Sequence, residues 1–468
     1  MRRNAGLLLA ARLASAGTTL VVLALIGRLR GAEALGVVGI GFAAGAIAAT
    51  LSDLGISSLL VREVSRRPAE GGTLLGAAIA LRLVTVPVVL LGVYLAGAAI
   101  APSAPYTVVL AGAGLIGQQM AELTRSVFIA HLRMTVSSAH AIVENLAWLA
   151  FVAYGLVTGM PLESVFVLGL LVWATSVLSG LLLVWRLLGV VPAWHGLDRF
   201  REILVLAGPF GAFSVVGIAY ARIDPLLIGL LVSGEALAAA GAYFGATRLL
   251  AAFEYLPEAV SRAAFPELAR RAADRAGTIE PILRSAAVAL LAIGLAVPVV
   301  LIPAGAWLMG TVYGPDAAEN GWLLGALSIA VPVRYLAYLY GVTLTSADAQ
   351  GRRVAAAATA LVGVLLIDSI GIPRIGLVAP VVSAYVAAGV ILCIYAVFVH
   401  RRFHTIGLQG RAVALAIGAV LAVGAGLLAG TFLPPVAAAA VSGIVYVLAA
   451  VGGPARPDLV RVIRGSVG

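Results

Sequence analysis

Apolar stretches of about 20 residues, the length that crosses a hydrocarbon core of roughly 30 Å, recur from one end of this 468-residue chain to the other. Runs such as Val86 to Ala99 carry no charge and no alternation of polar with apolar positions. A lipid-facing barrel needs short strands with a two-residue repeat, so the spanning elements are expected to be helices. Composition names the same solvent: 62% of residues are hydrophobic and 11% charged, with mean hydropathy +1.08. A soluble domain carries roughly 25% charged residues. A soluble fold of this composition would expose large apolar patches and aggregate.

The expected architecture is an all-α integral membrane protein of about fourteen transmembrane helices. Spans are placed near 5–28, 35–61, 73–100, 107–130, 136–158, 164–186 and 203–232. The remainder lie near 237–261, 284–312, 321–346, 354–371, 376–399, 411–430 and 436–453. The first span follows Arg2 and Arg3 but contains Arg12, and no small-residue cleavage site follows it. It is read as a retained helix, not a cleaved signal.

Charge supplies the orientation. All 31 basic residues are arginine, and these spans put 22 of them at the amino-terminal tail, alternate loops and carboxy-terminal tail. That set includes Arg62, Arg66, Arg67, Arg133, Arg186, Arg199, Arg201, Arg270, Arg271, Arg275, Arg352, Arg353, Arg401 and Arg402. Only Arg28, Arg30 and Arg374 fall on the other side, and six lie within spans. Because cytoplasmic loops retain positive charge, both termini are expected in the cytoplasm, at a cytoplasmic (inner) membrane. The net charge of +10 is thus spread over membrane-edge loops, which argues against nucleic acid as a partner.

Cys393 is the sole cysteine, which excludes an intramolecular disulfide and thiolate metal clusters. His131, His140, His195, His400 and His404 show no metal-ligand spacing, and no nucleotide or cofactor motif is present. No catalytic residue, metal site or cofactor is expected.

The chain also repeats itself. A shift of 202 residues aligns Glu33, Ala34, Leu35, Gly39, Phe42 and Ala44 with Glu235, Ala236, Leu237, Gly241, Phe244 and Ala246. Both copies open an even-numbered span, and six spans separate them, so the halves would be parallel repeats related by an axis along the membrane normal. The expected division is an N-lobe of six helices at 1–187, a cytoplasmic linker at 188–201 with Pro192, Trp194 and Asp198, a C-lobe at 202–404, and a helix pair with tail at 405–468.

Six arginines fall within spans: Arg12, Arg82, Arg125, Arg222, Arg248 and Arg334. Asp53, Glu122, Glu144, Asp224 and Glu254 accompany them as ion-pair or coupling carboxylates. A charge at mid-membrane costs roughly 2.5–3.5 kcal/mol on insertion scales, so such groups face a wet cavity or a partner. Glu122 and Arg125, at i and i+3, are expected to neutralise each other, with Arg125 near the inner interface. Asp53 and Arg12 lie toward span ends and are expected to be solvated. Arg82, Arg222, Arg248 and Arg334 lie deepest, and two readings stay open for them: a cationic substrate cleft, to which Arg12 is added, or buried interhelical ion pairs. Arg222 and Asp224 would sit about 200° apart on one helix, too far round for mutual pairing. Gly208, Pro209, Gly211 and Gly217 in the seventh span, and Pro298 with Pro303 in the ninth, mark helices expected to kink.

A series of short patterns follows the chain: Ala11, Arg12 and Leu13; Gly31 to Gly36; Asp53, Leu54 and Gly55 leading into Arg62 and Glu63. Further on come Arg222, Asp224 and Gly229; Phe265, Pro266, Glu267 and Leu268; Tyr313, Gly314 and Ala317; and Ile372, Pro373, Gly376 and Ala379. In order and spacing they resemble the polysaccharide-unit flippases of the multidrug/oligosaccharidyl-lipid/polysaccharide exporter superfamily. The resemblance implies two six-helix bundles around a central cleft and, by alternating access, transfer of a polyprenyl-pyrophosphate-linked oligosaccharide from the inner to the outer leaflet. Membrane lipid is then a partner, with other polysaccharide-assembly proteins as further candidates. The absence of lysine departs from many members, so any lysine role in the cleft would fall to arginine, which can hold a phosphate with a two-pronged contact.

Two rivals are weighed against this. A multidrug or small-solute antiporter of the same fold would use Asp224, Glu144 or Glu254 as cation sites, but the excess of central arginine over central carboxylate argues against cationic drugs. A membrane-embedded glycosyl- or acyltransferase would need carboxylates or histidines on a substantial loop, and the expected outer loops are about eight residues or shorter.

Overall fold

The computed structural model describes residues 2–193, 211, 214–273, 279–346, 349–403 and 409–463. Trp194, His195, Asp198, Arg199, Arg201, Gly208, Pro209, Arg275 and His404, with most of the expected linker, lie outside the described residues. Every regular element among the described residues is helical. Among the described residues ten helices are long and apolar enough to cross a membrane, or up to twelve when two bent pairs are each counted as one span. The expected fourteen is not reached by that measure. Part of the difference is that the first two expected spans form one continuous assignment, α1 (Arg2–Asp53), and the expected fourth, α4 (Pro105–Ala130), is not among the ten.

The chain divides into two compact units, Met1–Phe244 and Gly245–Gly468. In the first, α1 bends where Gly31 takes φ 84 and ψ −179, a conformation that any side chain would strain. The second expected span was drawn to residue 61, but the helix ends at Asp53. Leu54 (φ 46) and Gly55 (φ 81) turn the chain into a short amphipathic helix, α2 (Ile56–Arg66). Apolar residues flank this point on both sides, and the dihedrals place the break. The apolar face of α2, Ile56, Leu59, Leu60 and Val64, is buried against Leu74, Leu75 and Leu81 of α3 (Gly71–Ile100), Leu123, Val127 and Phe128 of α4, and Val184 of α6 (Leu162–Leu188).

With α5 (Met134–Val157), these helices pack through small residues, as lipid-embedded helices must when lipid offers no hydrophobic driving force. A methyl group at Gly45 of α1 would strike the backbone of Gly112 in α4, and one at Gly41 would come within 2.7 Å of the Val108 carbonyl. The expected seventh span is described as α7 (Ser214–Arg222) and α8 (Asp224–Leu231), bent by 45° at Ile223.

The first unit ends inside α9 (Ala236–Ala251). In the second unit a 3-10 turn at Ala252–Glu254 separates α9 from α10 (Tyr255–Ala273). The ninth span was expected to kink at its prolines. There α11 continues as one helix from Glu280 to Tyr313 through Pro298 and Pro303, because packed neighbours can accommodate the backbone groups that a proline leaves over. The tenth span breaks, at Ile329 and Ala330, into α12 (Gly321–Ser328) and α13 (Val331–Ser346), bent by 40°. Next come α14 (Gln350–Ile375) and α15 (Val378–Phe403), separated at Gly376 by φ 56. The terminal pair, α16 (Gln409–Ala429) and α17 (Pro435–Gly452), lies on α11, where the Tyr446 hydroxyl donates to the Ala292 carbonyl at 2.8 Å. A last helix, α18 (Arg456–Ile463), is tied to α16 by Arg411 and Asp458 at 2.9 Å.

Candidate functional site

The intramembrane charges fall into three groups. In the first unit, Arg82 on α3 is fully buried, at 0% exposure. Its guanidinium donates to the Asp53 carboxylate, to the Ser57 hydroxyl at 3.1 Å and to the Gln119 carbonyl on α4. Asp53 also accepts from the Ser57 backbone N–H at 3.2 Å and its hydroxyl at 2.6 Å. The carboxylate therefore sits at the α1–α2 break and holds the first turn of α2 while pairing with α3. Asp53, expected to be solvated, is 9% exposed. The turn at Leu54 and Gly55 folds α2 back over it, which a straight-helix reading cannot anticipate.

The second group ties α4, α5 and α6 together. Arg125 pairs with Glu122 one turn away at 2.7 Å, as expected from spacing, and also with Glu144 on α5. Glu144 accepts from the Ser176 hydroxyl on α6, and His140 lies beside it at 3.7 Å. The expectation that Arg125 reaches toward the interface is corrected: it is 6% exposed and held between two carboxylates. Breaking either network would leave an uncompensated charge among apolar helices.

The third group is less enclosed. Arg222, Arg248 and Arg334 are half-buried on α7, α9 and α13, Asp224 is half-buried at the start of α8, and Arg12 and Glu254 are exposed. Asp224 accepts from the Tyr243 hydroxyl on α9 at 2.5 Å. The bend at Ile223 separates Arg222 from Asp224, so the angle expected for one continuous helix does not apply. Tyr313 at the end of α11 donates to the Gly245 carbonyl at 3.0 Å, and its ring lies against Gly245, one turn before Arg248.

Arg334 and Glu254 meet at a cavity of about 360 Å³ within the second unit, with Glu258, Tyr335 and Tyr338 in its walls. The tyrosines escaped the sequence reading because aromatic residues in an apolar span carry no distinguishing signal. Asp368, wholly buried on α14, was also passed over, although an aspartate within the run Leu365 to Ile370 is itself a signal. Among the described residues no group of three or more histidine, cysteine, aspartate or glutamate side chains is placed to hold a metal ion.

A family model described as polysaccharide biosynthesis protein matches residues 1–271. The lipid II flippase MurJ in an inward closed conformation shares the fold at a TM-score of 0.75 and 13% identity, over 94% of this chain and 97% of that one. An inward-facing multidrug resistance transporter of the MATE family, in the MOP superfamily, aligns at a TM-score of 0.65 and 14% identity, over 83% and 96%. No curated protein matches the chain by sequence.

This multi-pass, all-helical chain shares its fold with transporters of the MOP superfamily. By its sequence the chain belongs to the polysaccharide biosynthesis protein family, a flippase family within that superfamily.

Proposed function

We propose that the chain flips a polyprenyl-pyrophosphate-linked oligosaccharide from the inner to the outer leaflet of the cytoplasmic membrane. The observation that carries the reading is the presence of half-buried arginines, Arg222, Arg248 and Arg334, on apolar helices. Of these, Arg222 in the first unit and Arg248 in the second are each expected to meet the pyrophosphate during its passage. A guanidinium in low-dielectric surroundings grips a phosphate by paired, charge-assisted hydrogen bonds. With the cell interior negative, each negative charge moved outward gains about 2.3 kcal/mol per 100 mV, so anion export needs no coupled ion. Membership of a polysaccharide biosynthesis family and the fold shared with a lipid II flippase support the substrate class.

The test measures surface glycan and membrane abundance in the same strains. Arg222→Ala and Arg248→Ala should each cut export at least about tenfold, the loss of one charge-assisted hydrogen bond, with abundance near the parent's. Lysine at either position should restore export in part, since the charge returns without the planar fork. Normal export by both alanine variants would defeat the reading.

A further inference from the structure

The cavity in the second unit forms where two helices break. The 3-10 turn at Ala252–Glu254 interrupts one wall just before α10, whose first turn contains Pro257. The opposite wall is the start of α13, which follows the 40° bend after α12. The Tyr335 hydroxyl donates to the Phe253 carbonyl at 2.5 Å and braces one wall against the other. Broken helices within membrane proteins place backbone and polar groups at binding sites, and this pair encloses about 360 Å³, within the range of small-molecule pockets.

Its chemistry narrows the occupant. Glu254 and Glu258 are one helical turn apart and line the same cavity, as do Arg334 and Tyr338 across from them. Two carboxylates against one guanidinium leave the lining with an excess negative charge, which repels a phosphate. A bare cation would suit the carboxylates, yet it needs only a few ligand oxygens at close range and none of this volume. A polyhydroxylated ring satisfies every feature. Its hydroxyls donate to the carboxylates and accept from the guanidinium, and its apolar face lies on an aromatic ring.

We propose that this cavity binds a sugar residue of the lipid-linked glycan, with Glu254, Glu258 and Arg334 holding its hydroxyls and Tyr338 supplying the stacking face. The proposal rests on the flippase reading and deepens it, because it separates a sugar subsite from the arginines assigned to the pyrophosphate.

The experiment compares binding of three probes to the purified full-length protein: polyprenyl pyrophosphate bearing no sugar, a hexose or an N-acetylhexosamine. At least one sugar-bearing carrier should bind about tenfold more tightly than the bare carrier, the order expected of one or two added charge-assisted hydrogen bonds. Glu254→Gln with Glu258→Gln, and separately Tyr338→Ala, should erase that difference while leaving affinity for the bare carrier unchanged. The unliganded melting temperature of each variant controls for folding, and Arg334→Lys provides a second, conservative variant. Equal affinity for all three carriers overturns the proposal. So does a glutamate-dependent rise in melting temperature with sodium alone, which would mark a cation site. If the sugar preference holds but Arg222→Ala and Arg248→Ala export normally, the pyrophosphate assignment fails and the subsite stands. If those variants lose export but no sugar preference exists, the reverse is true.

Discussion

Arg82 illustrates how the surroundings of a residue, not its depth, decide its role. Its side chain is sealed from solvent, and three acceptors from three segments surround it: Asp53, Ser57 and the Gln119 carbonyl. A group so enclosed serves first to join α3 to the α1–α2 corner. Removing one partner of a buried pair costs about 3–5 kcal/mol, whereas replacing both with apolar residues of similar volume is often neutral. Asp53→Ala and Arg82→Ala should therefore each lower membrane abundance and melting temperature sharply. The double variant Asp53→Leu with Arg82→Met should recover much of both. Single variants with parental stability would show that the pair does not hold the corner.

Among the elements, α1 and α9 approach each other closely through glycines in the first unit. A methyl at Gly36 would collide with the Leu237 carbonyl, and one at Gly241 with the Ala32 carbonyl. Gly39 lies under the Phe244 ring, and Phe42 meets Phe244 edge-on at 6.2 Å and 88°. Phe42 and Phe244, which the 202-residue shift aligns, are thus in ring contact. Overpacking a tight contact costs about 1–3 kcal/mol, and more where the obstacle is backbone that cannot yield. Gly36→Val or Gly241→Val should force the helices apart and reduce abundance or export severalfold, while Gly17→Val, on the same α1 with open space at its Cβ, should leave abundance unchanged. Equal behaviour of the three variants, read by immunoblot of membranes and by surface glycan, would remove the argument.

At the scale of the whole molecule, the distribution of arginine is the strongest statement of orientation. Twenty-two guanidinium groups at one set of loops and tails against three at the other set place both termini in the cytoplasm as a proposal. Reporter fusions check it directly: a phosphatase joined after Gly468 should be inactive and a fluorescent protein there should be bright. Phosphatase activity at that position would invert the topology. Because arginine stays protonated across the accessible pH range, this asymmetry does not weaken as pH rises, as one built on lysine eventually would.

Length and spacing of apolar runs determined the class of this protein, since only helices hide every backbone group in lipid. The same runs located most helices, and i, i+3 spacing alone found the Glu122–Arg125 pair, because these are properties of neighbours along the chain. The family patterns, from Asp53 to Gly376, were likewise legible as sequence. What only the tertiary structure decided are the features set by dihedrals and by distant partners. The turn at Leu54 and Gly55 buries Asp53 against Arg82, and Glu144 reaches Arg125 from another helix. The breaks at 252–254 and 329–330 bring Glu254 and Arg334 to one cavity although 80 residues separate them. Hydropathy averages over a window and is blind to a single positive φ, and no local pattern records which helix a buried charge will meet.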